Sequence, residues 1–317
     1  MRAINTGLRI KTIEFRFFTE EIISMRHWIG AALRNRFLYE AEFVTDKDSV
    51  SLRSKIETLP IQENHFLYKQ LKDGFPKGFV LDCSNIPKYG DGFKLRANYI
   101  YNFRMILIGS FIENKELVIE AVKNMLSRGI GHPVKPMKLI DVIESDSYSL
   151  PNITTDNEMN KTVLELNLKT PVCLMHLPKE AGNGFQNKLN NFPSFYQFMR
   201  SITYRAITLS ILYSGCTDFE NRQQLDEWIE QYISLSSKAI LSEANIRYEK
   251  LYCTPKVGKS SVYVMDGYTG KLSFHNVEAY FIPLLEFCTN IGVGSDVNFG
   301  LGTYGINYKT NLRDMNV

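Results

Sequence analysis

Five histidines are the side chains of this 317-residue sequence best suited to acid–base chemistry, because imidazole has an unperturbed pKa near neutrality. They are His27, His65, His132, His176 and His275. None has a second histidine, a cysteine or a carboxylate at metal-ligand spacing, so no metal centre is expected. Five widely spaced cysteines without a CxxC pair argue equally against a zinc site and a disulfide framework.

His27 is the first candidate for a reactive residue. It is predicted on a helix over residues 20–39, off the apolar face, with Arg34 seven residues further along the same face. This pair would supply one titratable group and one cation for a phosphate, although an ordinary surface histidine is the alternative interpretation. His65, in the irregular segment after the helix, is the second candidate. The other three histidines are expected to be structural.

Four glycines form the most specific pattern in the chain. They stand at positions 292, 294, 300 and 302, a G-x-G-x5-G-x-G arrangement that leaves a predicted helix and enters a predicted strand. Glycine at such positions permits positive φ and lets backbone N–H groups approach phosphates. A dinucleotide-binding loop follows a strand and opens a helix, which is the opposite order, and no Walker loop is present. A helix C-cap followed by a turn is the plain structural alternative.

Hydrophobic periodicity predicts the elements that position these residues. In the first half we predict strands over residues 8–18, 78–86, 96–111 and 135–143, with helices over 20–39 and 115–128. In the second half we predict strands over 162–175, 244–254, 271–274 and 303–309, a turn at 266–267, and helices over 195–213, 221–236 and 277–290. Apart from the additional helix 221–236, the order strand–helix–strand–strand–helix–strand occurs twice, which predicts an α+β fold.

A polar, aperiodic stretch separates the two halves. Residues 146–160 are predicted to link an N-terminal domain over residues 1–145 to a C-terminal domain over residues 161–317. With 44% hydrophobic and 22% charged residues, the chain can form two ordinary cores. It has no signal-peptide pattern and no apolar run of the roughly 20 residues that a membrane helix requires, so a cytoplasmic protein without membrane contact is expected.

The helix, the glycine pattern and the closing strand together resemble the C-terminal signature of the RAMP superfamily, the CRISPR-associated RNA-binding proteins. DGYTGKLSF at residues 266–274 and IRYEKLY at residues 246–252 resemble, more narrowly, its repeat-processing endoribonuclease branch. The resemblance implies tandem ferredoxin-like (RRM-like) domains, a C-terminal glycine-rich loop, and catalytic residues on or just after the first helix. Family loops often carry Lys or Arg between the glycine pairs, which residues 295–299 lack. RNA contact by this loop would therefore depend on its backbone and on Asn298.

The resemblance further implies a metal-independent endoribonuclease without a cofactor. A ribose 2′-hydroxyl would attack the adjacent phosphate, leaving a 2′,3′-cyclic phosphate and a 5′-hydroxyl, with the help of a base, an acid and a cation. CRISPR precursor RNA is the expected partner and guide RNA the product, with other CRISPR-associated proteins as further partners. The alternatives are a RAMP protein that only binds RNA in an effector complex, and a ferredoxin-like protein unrelated to RNA. A net charge of +3 permits an RNA partner without requiring one.

The predicted site residues fall into two groups. The catalytic candidates are His27, Arg34 and His65. The RNA-binding candidates are Arg200, Arg205, Arg247, Lys271, Gly292, Gly294, Asn298, Gly300 and Gly302. Two arginines on a helix are more often a solvated face than a binding site. Arg205 is favoured because it resembles the family pattern of an arginine that precedes an aliphatic run.

Overall fold

A computed structural model describes residues 3–25, 27–89, 92–131, 133–154, 161–174, 194–253 and 263–310. The strands in these ranges are β1 (Arg9–Phe18), β2 (Ile23–Met25), β3 (Phe79–Asp82), β4 (Lys88–Tyr89), β5 (Gly92–Leu95), β6 (Tyr101–Ile108), β7 (Lys138–Glu144), β8 (Tyr148–Ser149), β9 (Lys161–Val172), β10 (Ile240–Cys253), β11 (Tyr263–Glu278) and β12 (Tyr304–Thr310). The helices are α1 (Ile29–Glu40), α2 (Leu52–Glu57), α3 (Tyr68–Leu71), α4 (Lys115–Arg128), α5 (Phe195–Ser214), α6 (Arg222–Ile233) and α7 (Ile282–Ile291). Within the described ranges, no helix is long and apolar enough to cross a membrane.

The first sheet belongs to the first half of the chain. Its strand order is β3-β6-β1-β7, with β8 beside β1, and each pair is antiparallel. Alternation along β1 turns Ile13, Phe15 and Phe17 to one face, where all three are buried. Helices α1 and α4 cover that face, and Phe37 of α1 contacts Phe79 of β3 with ring centroids 5.5 Å apart.

The second sheet has the order β10-β11-β9-β12, again with antiparallel pairs. Helix α5 covers one face of it and packs Phe195 against Phe274 of β11, with ring centroids 5.2 Å apart. This helix begins at a capping box formed by Ser194 and Gln197 and ends at Gly215, which has φ of 68°. Its periodicity predicted these bounds to within one residue. The other face of the sheet carries polar side chains and is open.

A third, small sheet corrects the predicted helix over residues 20–39. Ile23–Met25 form β2, which pairs with β5 in the order β2-β5-β4, and the helix begins only at Ile29. Ile23, in β2, is buried, and its side chain lies beside Gly131. The apolar spacing that predicted a helix is therefore shared between a short strand and a shorter helix.

The hairpin β10–β11 corrects a second prediction. A turn at residues 266–267 was expected from the Asp-Gly pair, but both residues lie within β11. A Cβ at Gly267 would come within 2.6 Å of the Val172 backbone, so glycine here allows a close approach of strands instead of a turn. The helix predicted over 277–290 also begins later than expected, at Ile282, after a short 3-10 turn.

The two halves share one hydrophobic core. Tyr213 of α5 donates a hydrogen bond to the Pro76 carbonyl at 3.1 Å, and the rings of Tyr148 and Phe287 lie 5.6 Å apart. Tyr148 belongs to β8, inside the segment that was predicted to be a linker. The α+β architecture with antiparallel sheets is confirmed. Its division into two ferredoxin-like domains stays a prediction, and residues 155–160 of the predicted linker lie outside the described residues.

Candidate nucleic-acid interface

A cleft of about 590 Å³ lies between the open face of the second sheet and the first half of the chain. Trp28, Phe93 and the segment from Ser84 to Lys88 contribute from the first half. Residues of β9, β10 and β11 contribute from the second half: Asn167, Leu168, Lys169, Thr170, Pro171, Asn245, Ile246, Arg247, Glu249, Thr269, Gly270 and Lys271. The cleft is therefore polar on one wall and partly aromatic on the other.

Four cations face this cleft. Lys88 and Arg247 both contact Glu249, with N–O distances of 3.0 and 2.6 Å, while Lys271 lies 3.3 Å from Glu165. Lys169 is exposed and forms no ion pair with any residue in the described ranges. Arg247 and Lys271 were predicted to bind RNA, and the structure brings these two together in one cleft. A groove with an excess of cations favours the phosphates of a nucleic acid.

Glu249 is the acidic group that balances the cleft. Burial alone would raise the pKa of its carboxyl, but hydrogen bonds from Lys88 and Thr269 and the charge of Arg247 outweigh burial and hold the pKa below its ordinary value. Glu249 is thus ionised at neutral pH and neutralises part of the charge that phosphates would meet.

His27 lies in the short connection between β2 and α1, next in sequence to Trp28. The prediction that it sits on the helix is wrong, because α1 begins two residues later. Its Nδ1 atom is buried and has no hydrogen-bond partner within the part of the chain that the structure describes. The next residue, Trp28, lines the cleft and is 6% exposed.

Arg34 does not line the cleft. Its guanidinium lies 4.2 Å from the centroid of the Phe299 ring, and its Nε is buried with no hydrogen-bond partner among the described residues. Burial lowers the pKa of Arg34, against the opposing effect of Glu57 and Asp296. The same-helix pairing of His27 and Arg34 is not formed, because only Arg34 belongs to the helix.

His65 is held in a turn that leads into α3. Its Nδ1 accepts a hydrogen bond from the Leu67 backbone at 3.1 Å, and its ring stacks on Phe66 with centroids 4.5 Å apart. Burial lowers the pKa of His65, which favours the neutral ring that this bond requires. His65 does not line the cleft. Of the remaining histidines, His275 lies opposite Ile240 in β11 and not at a helix start, whereas His132 and His176 lie outside the described residues.

The two predicted arginines of α5 lie on the helical side of the second sheet, away from the cleft. Arg200 pairs with Glu230 of α6 at 2.9 Å. The Arg205 Nε donates to the carbonyl of Ile291, the last residue of α7, at 2.9 Å, and no described residue forms a hydrogen bond with its buried Nη2. Burial lowers the pKa of Arg205 to about 10. RNA contact by either residue stays a prediction, and for Arg205 it would require the guanidinium to leave this position.

The loop over residues 292–302 packs against the first half of the chain. Its four glycines have φ between 70° and 83°. The amides of Gly292, Gly300 and Gly302 donate to backbone carbonyls at 2.9 to 3.0 Å. Asn298 is half-buried in a 3-10 turn. Phosphate binding by these residues stays a prediction, and the N–H groups of three of the four glycines are already engaged within the protein.

Sequence reasoning missed three residues of this site. Trp28, Lys88 and Lys169 line the cleft, yet none stands in a recognisable motif. Alternation along β9 could have pointed to Lys169. Leu166 and Leu168 are buried on one side of this strand, so Lys169 is expected on its other, polar side. Nothing local singles out Trp28. No group of three or more metal-ligating side chains occurs among the residues described.

A protein-family model matches much of the second half of the chain. Residues 166–304 match the family model described as CRISPR-associated endoribonuclease Cas6. This range contains β10, β11 and α7 together with the glycine pattern. No curated protein matches the chain.

Solved structures share the fold of the whole chain at low sequence identity. Two structures described as Cas6 product complexes have TM-scores of 0.55 and 0.50 and are 11% and 12% identical. Each alignment covers 94% of this chain and 99% of the other. A partial Cas6-RT-Cas1–Cas2 complex gives a TM-score of 0.51 at 14% identity, covering 98% of this chain and 47% of the other.

Proposed function

We propose that this chain binds CRISPR repeat RNA in the cleft and cleaves it to produce guide RNAs. Its resemblance to the CRISPR repeat-processing endoribonucleases of the RAMP superfamily is confirmed by the family match. The observation that carries the proposal is the juxtaposition of the basic wall of the cleft with Trp28, the residue that follows His27 in the chain. The family match lies in the half of the chain that supplies this wall.

The proposed reaction is a metal-independent transesterification. The ribose 2′-oxygen forms a bond to phosphorus as the bond from phosphorus to the 5′-oxygen breaks. A base takes the 2′-hydroxyl proton and an acid protonates the leaving oxygen, so the products are a 2′,3′-cyclic phosphate and a 5′-hydroxyl. We assign one of the two proton transfers to His27, because it is next in sequence to the cleft-lining Trp28 and imidazole can accept or donate a proton near neutral pH.

Lys88 is the best-placed cation for the reacting phosphate. It pairs with Phe93 in the β4–β5 register, and the Phe93 ring contacts Trp28 with centroids 5.0 Å apart. Lys88 therefore lies on the same wall of the cleft as the residue that follows His27. We assign to it the stabilisation of phosphate charge that sequence reasoning assigned to Arg34.

The RNA lies along β10 and β11 in this proposal. Arg247, Lys271 and Lys169 would contact its phosphates, and Trp28 offers an aromatic surface at the end of the path. CRISPR-associated proteins are expected as further partners, since the fold also occurs in a complex with Cas1 and Cas2.

The test is incubation of the purified protein in EDTA with labelled repeat RNA and with a copy that has a 2′-deoxy nucleotide at the cut position. We expect cleavage of the all-ribose RNA alone, with a 2′,3′-cyclic phosphate at the new end. Equal cleavage of both RNAs would contradict the 2′-hydroxyl mechanism. Tight binding of both without cleavage would instead favour the second candidate, an RNA-binding subunit of an effector complex.

A further inference from the structure

We propose that Trp28 is a positioning residue that holds His27 at the cleft, and that the 292–302 loop is the socket that fixes Trp28. The inference rests on the proposed function, because it concerns the same cleavage site. It gives the glycine pattern of this chain a role in organising the site through protein contacts.

Trp28 joins three elements that are distant in sequence. Its backbone N–H donates to the Tyr252 carbonyl of β10 at 2.9 Å, and its indole N–H donates to the Phe299 carbonyl in the loop. Its ring meets Phe93 of β5 edge-on, at an interplanar angle of 77°. A single residue next to His27 is therefore bound to the hairpin wall, the loop and the small sheet.

Two glycines flank the indole. A Cβ on Gly30, in the first turn of α1, would overlap the Phe299 carbonyl and come within 2.5 Å of the indole nitrogen. A Cβ on Gly300 would make an ordinary contact of 3.6 Å with the indole ring but would lie 2.8 Å from the Cys83 sulfur, and Gly300 has φ of 80°. Gly30 thus leaves room for the indole itself, and Gly300 allows the loop to hold its conformation beside Cys83 and the indole.

Backbone hydrogen bonds hold the 292–302 loop in a fixed position within the protein. The Gly302 amide donates to the Pro171 carbonyl at 2.9 Å, and the Val293 amide donates to the Gly302 carbonyl at 3.0 Å. These bonds anchor the loop to the end of β9 and to itself. The Phe299 carbonyl then remains as the acceptor that meets the indole N–H.

The position of His27 depends on this anchor. None of the described residues holds its Nδ1, so the chain that carries the imidazole is located by Trp28 on one side and by β2 on the other. A reacting group that moves by about 1 Å can lose about 100-fold in rate, so release of Trp28 would slow cleavage more than it would weaken RNA binding.

The first test compares single-turnover cleavage and RNA dissociation constants for Trp28→Phe, which keeps a ring and removes the indole N–H. We expect the rate to fall at least about 10-fold and the dissociation constant to change less than about threefold. In a His27→Ala background the same substitution should cause no further loss, because both changes act through one imidazole. A full additional loss, or a wild-type rate in the single variant, would overturn the proposal.

The second test changes the 292–302 loop and leaves Trp28 in place. Gly300→Ala should reduce the cleavage rate as Trp28→Phe does. Gly215→Ala is the matched control, because Gly215 has a similar φ of 68° but nothing within 4 Å of an added Cβ. A control variant that lost as much cleavage as Gly300→Ala would mean that the loss reflects general destabilisation, and would count against the socket.

A third readout separates this inference from the proposed function. The ring signals of His27 in NMR spectra, assigned by their loss in His27→Ala, should move in Trp28→Phe and in Gly300→Ala and stay in Gly215→Ala. If the wild type does not cleave repeat RNA, the proposed function fails, and this readout alone decides the positioning role. Unchanged His27 signals in both socket variants would overturn it.

Discussion

Glu249 shows how a single residue sets the charge of the cleft. Its carboxylate accepts from Lys88 at 3.0 Å and contacts Arg247 at 2.6 Å, so two of the four cleft cations are already partly neutralised. The carboxylate also orders both side chains before RNA arrives. The negative charge of Glu249 weakens RNA binding, whereas its ordering of the two cations strengthens it. The effect of the charge is the larger one, because every phosphate contact is electrostatic.

We therefore predict that Glu249→Gln binds repeat RNA several-fold more tightly than the wild type. The slope of log K against log salt should steepen by about 0.7 to 0.9, which corresponds to one more phosphate contact. Filter binding over a series of salt concentrations measures both. Glu227→Gln removes an equal charge from the exposed side of α6 and should leave affinity unchanged. Weaker binding with an unaltered slope would mean that ordering by Glu249 outweighs its charge.

Lys77 is a residue whose charge costs stability. Burial and, to a smaller extent, the charge of Arg34 lower its pKa to about 8 against the opposing effect of Glu57, and its Nζ lies 3.5 Å from the centroid of the Phe75 ring. Since the unfolded chain has an ordinary lysine pKa of about 10.4, it binds more protons than the folded state between the two values. The folded protein is thus penalised below pH 8, and the penalty disappears as pH rises towards 10.4.

Lys77→Met should accordingly raise the urea midpoint of unfolding more at pH 7 than at pH 9.5. The difference between variant and wild type at each pH removes the titration of other groups. Lys72→Met, at an exposed position beyond α3, should show no such pH-dependent gain. An equal gain for Lys77→Met at both pH values would refute a lowered pKa for Lys77.

At the scale of elements, sequence patterns predicted the helices and loops whose residues are neighbours in the chain. The periodicity of Phe195, Phe198 and Ile202 located α5, and the glycine spacing located the 292–302 loop. The helix over 20–39 failed because Ile23–Met25 pair with β5, about 70 residues away, and no local pattern reports such a pairing. Trp28 was missed for the same reason, since its indole acceptor is 271 residues away.

The loop also predicts a stability effect. Gly302 has φ of 72°, and a Cβ there would overlap the Val293 carbonyl. Gly302→Ala should lower the free energy of unfolding by at least about 2 kcal/mol, from backbone strain together with that overlap. Urea denaturation gives the value.

Gly305→Ala is the matched control for that experiment. It lies three residues further on in β12, outside the left-handed region, and an added Cβ would make an ordinary contact of 3.4 Å with Lys169. Its stability should stay within about 0.5 kcal/mol of the wild type. Equal losses for the two variants would contradict the idea that the loop requires glycine for its conformation.

At the scale of the whole molecule, the contacts between the halves predict cooperative unfolding. Trp28 bonds to Tyr252 and Phe299, Tyr213 bonds to Pro76, and the buried residues form one cluster. The chain has two tryptophans, Trp28 at the junction and Trp228 in α6. Each can report on its own region when the other is replaced.

We predict that the fluorescence midpoint equals the circular-dichroism midpoint in Trp28→Phe and in Trp228→Phe, as expected for a two-state transition. Comparing two probes within one variant avoids any effect of the substitution on stability itself. Separate midpoints in Trp228→Phe would mean that the junction opens before the halves unfold.

The most direct measurement of the central claim is single-turnover cleavage of repeat RNA in EDTA by the wild type, His27→Ala and His65→Ala, with RNA affinity measured in parallel. His27→Ala should lose at least about 100-fold in rate while binding RNA nearly as well, since general acid–base groups contribute about 10² to 10⁴. His65→Ala should lose less, because its Nδ1 serves a backbone hydrogen bond away from the cleft. Wild-type cleavage by His27→Ala would contradict the account.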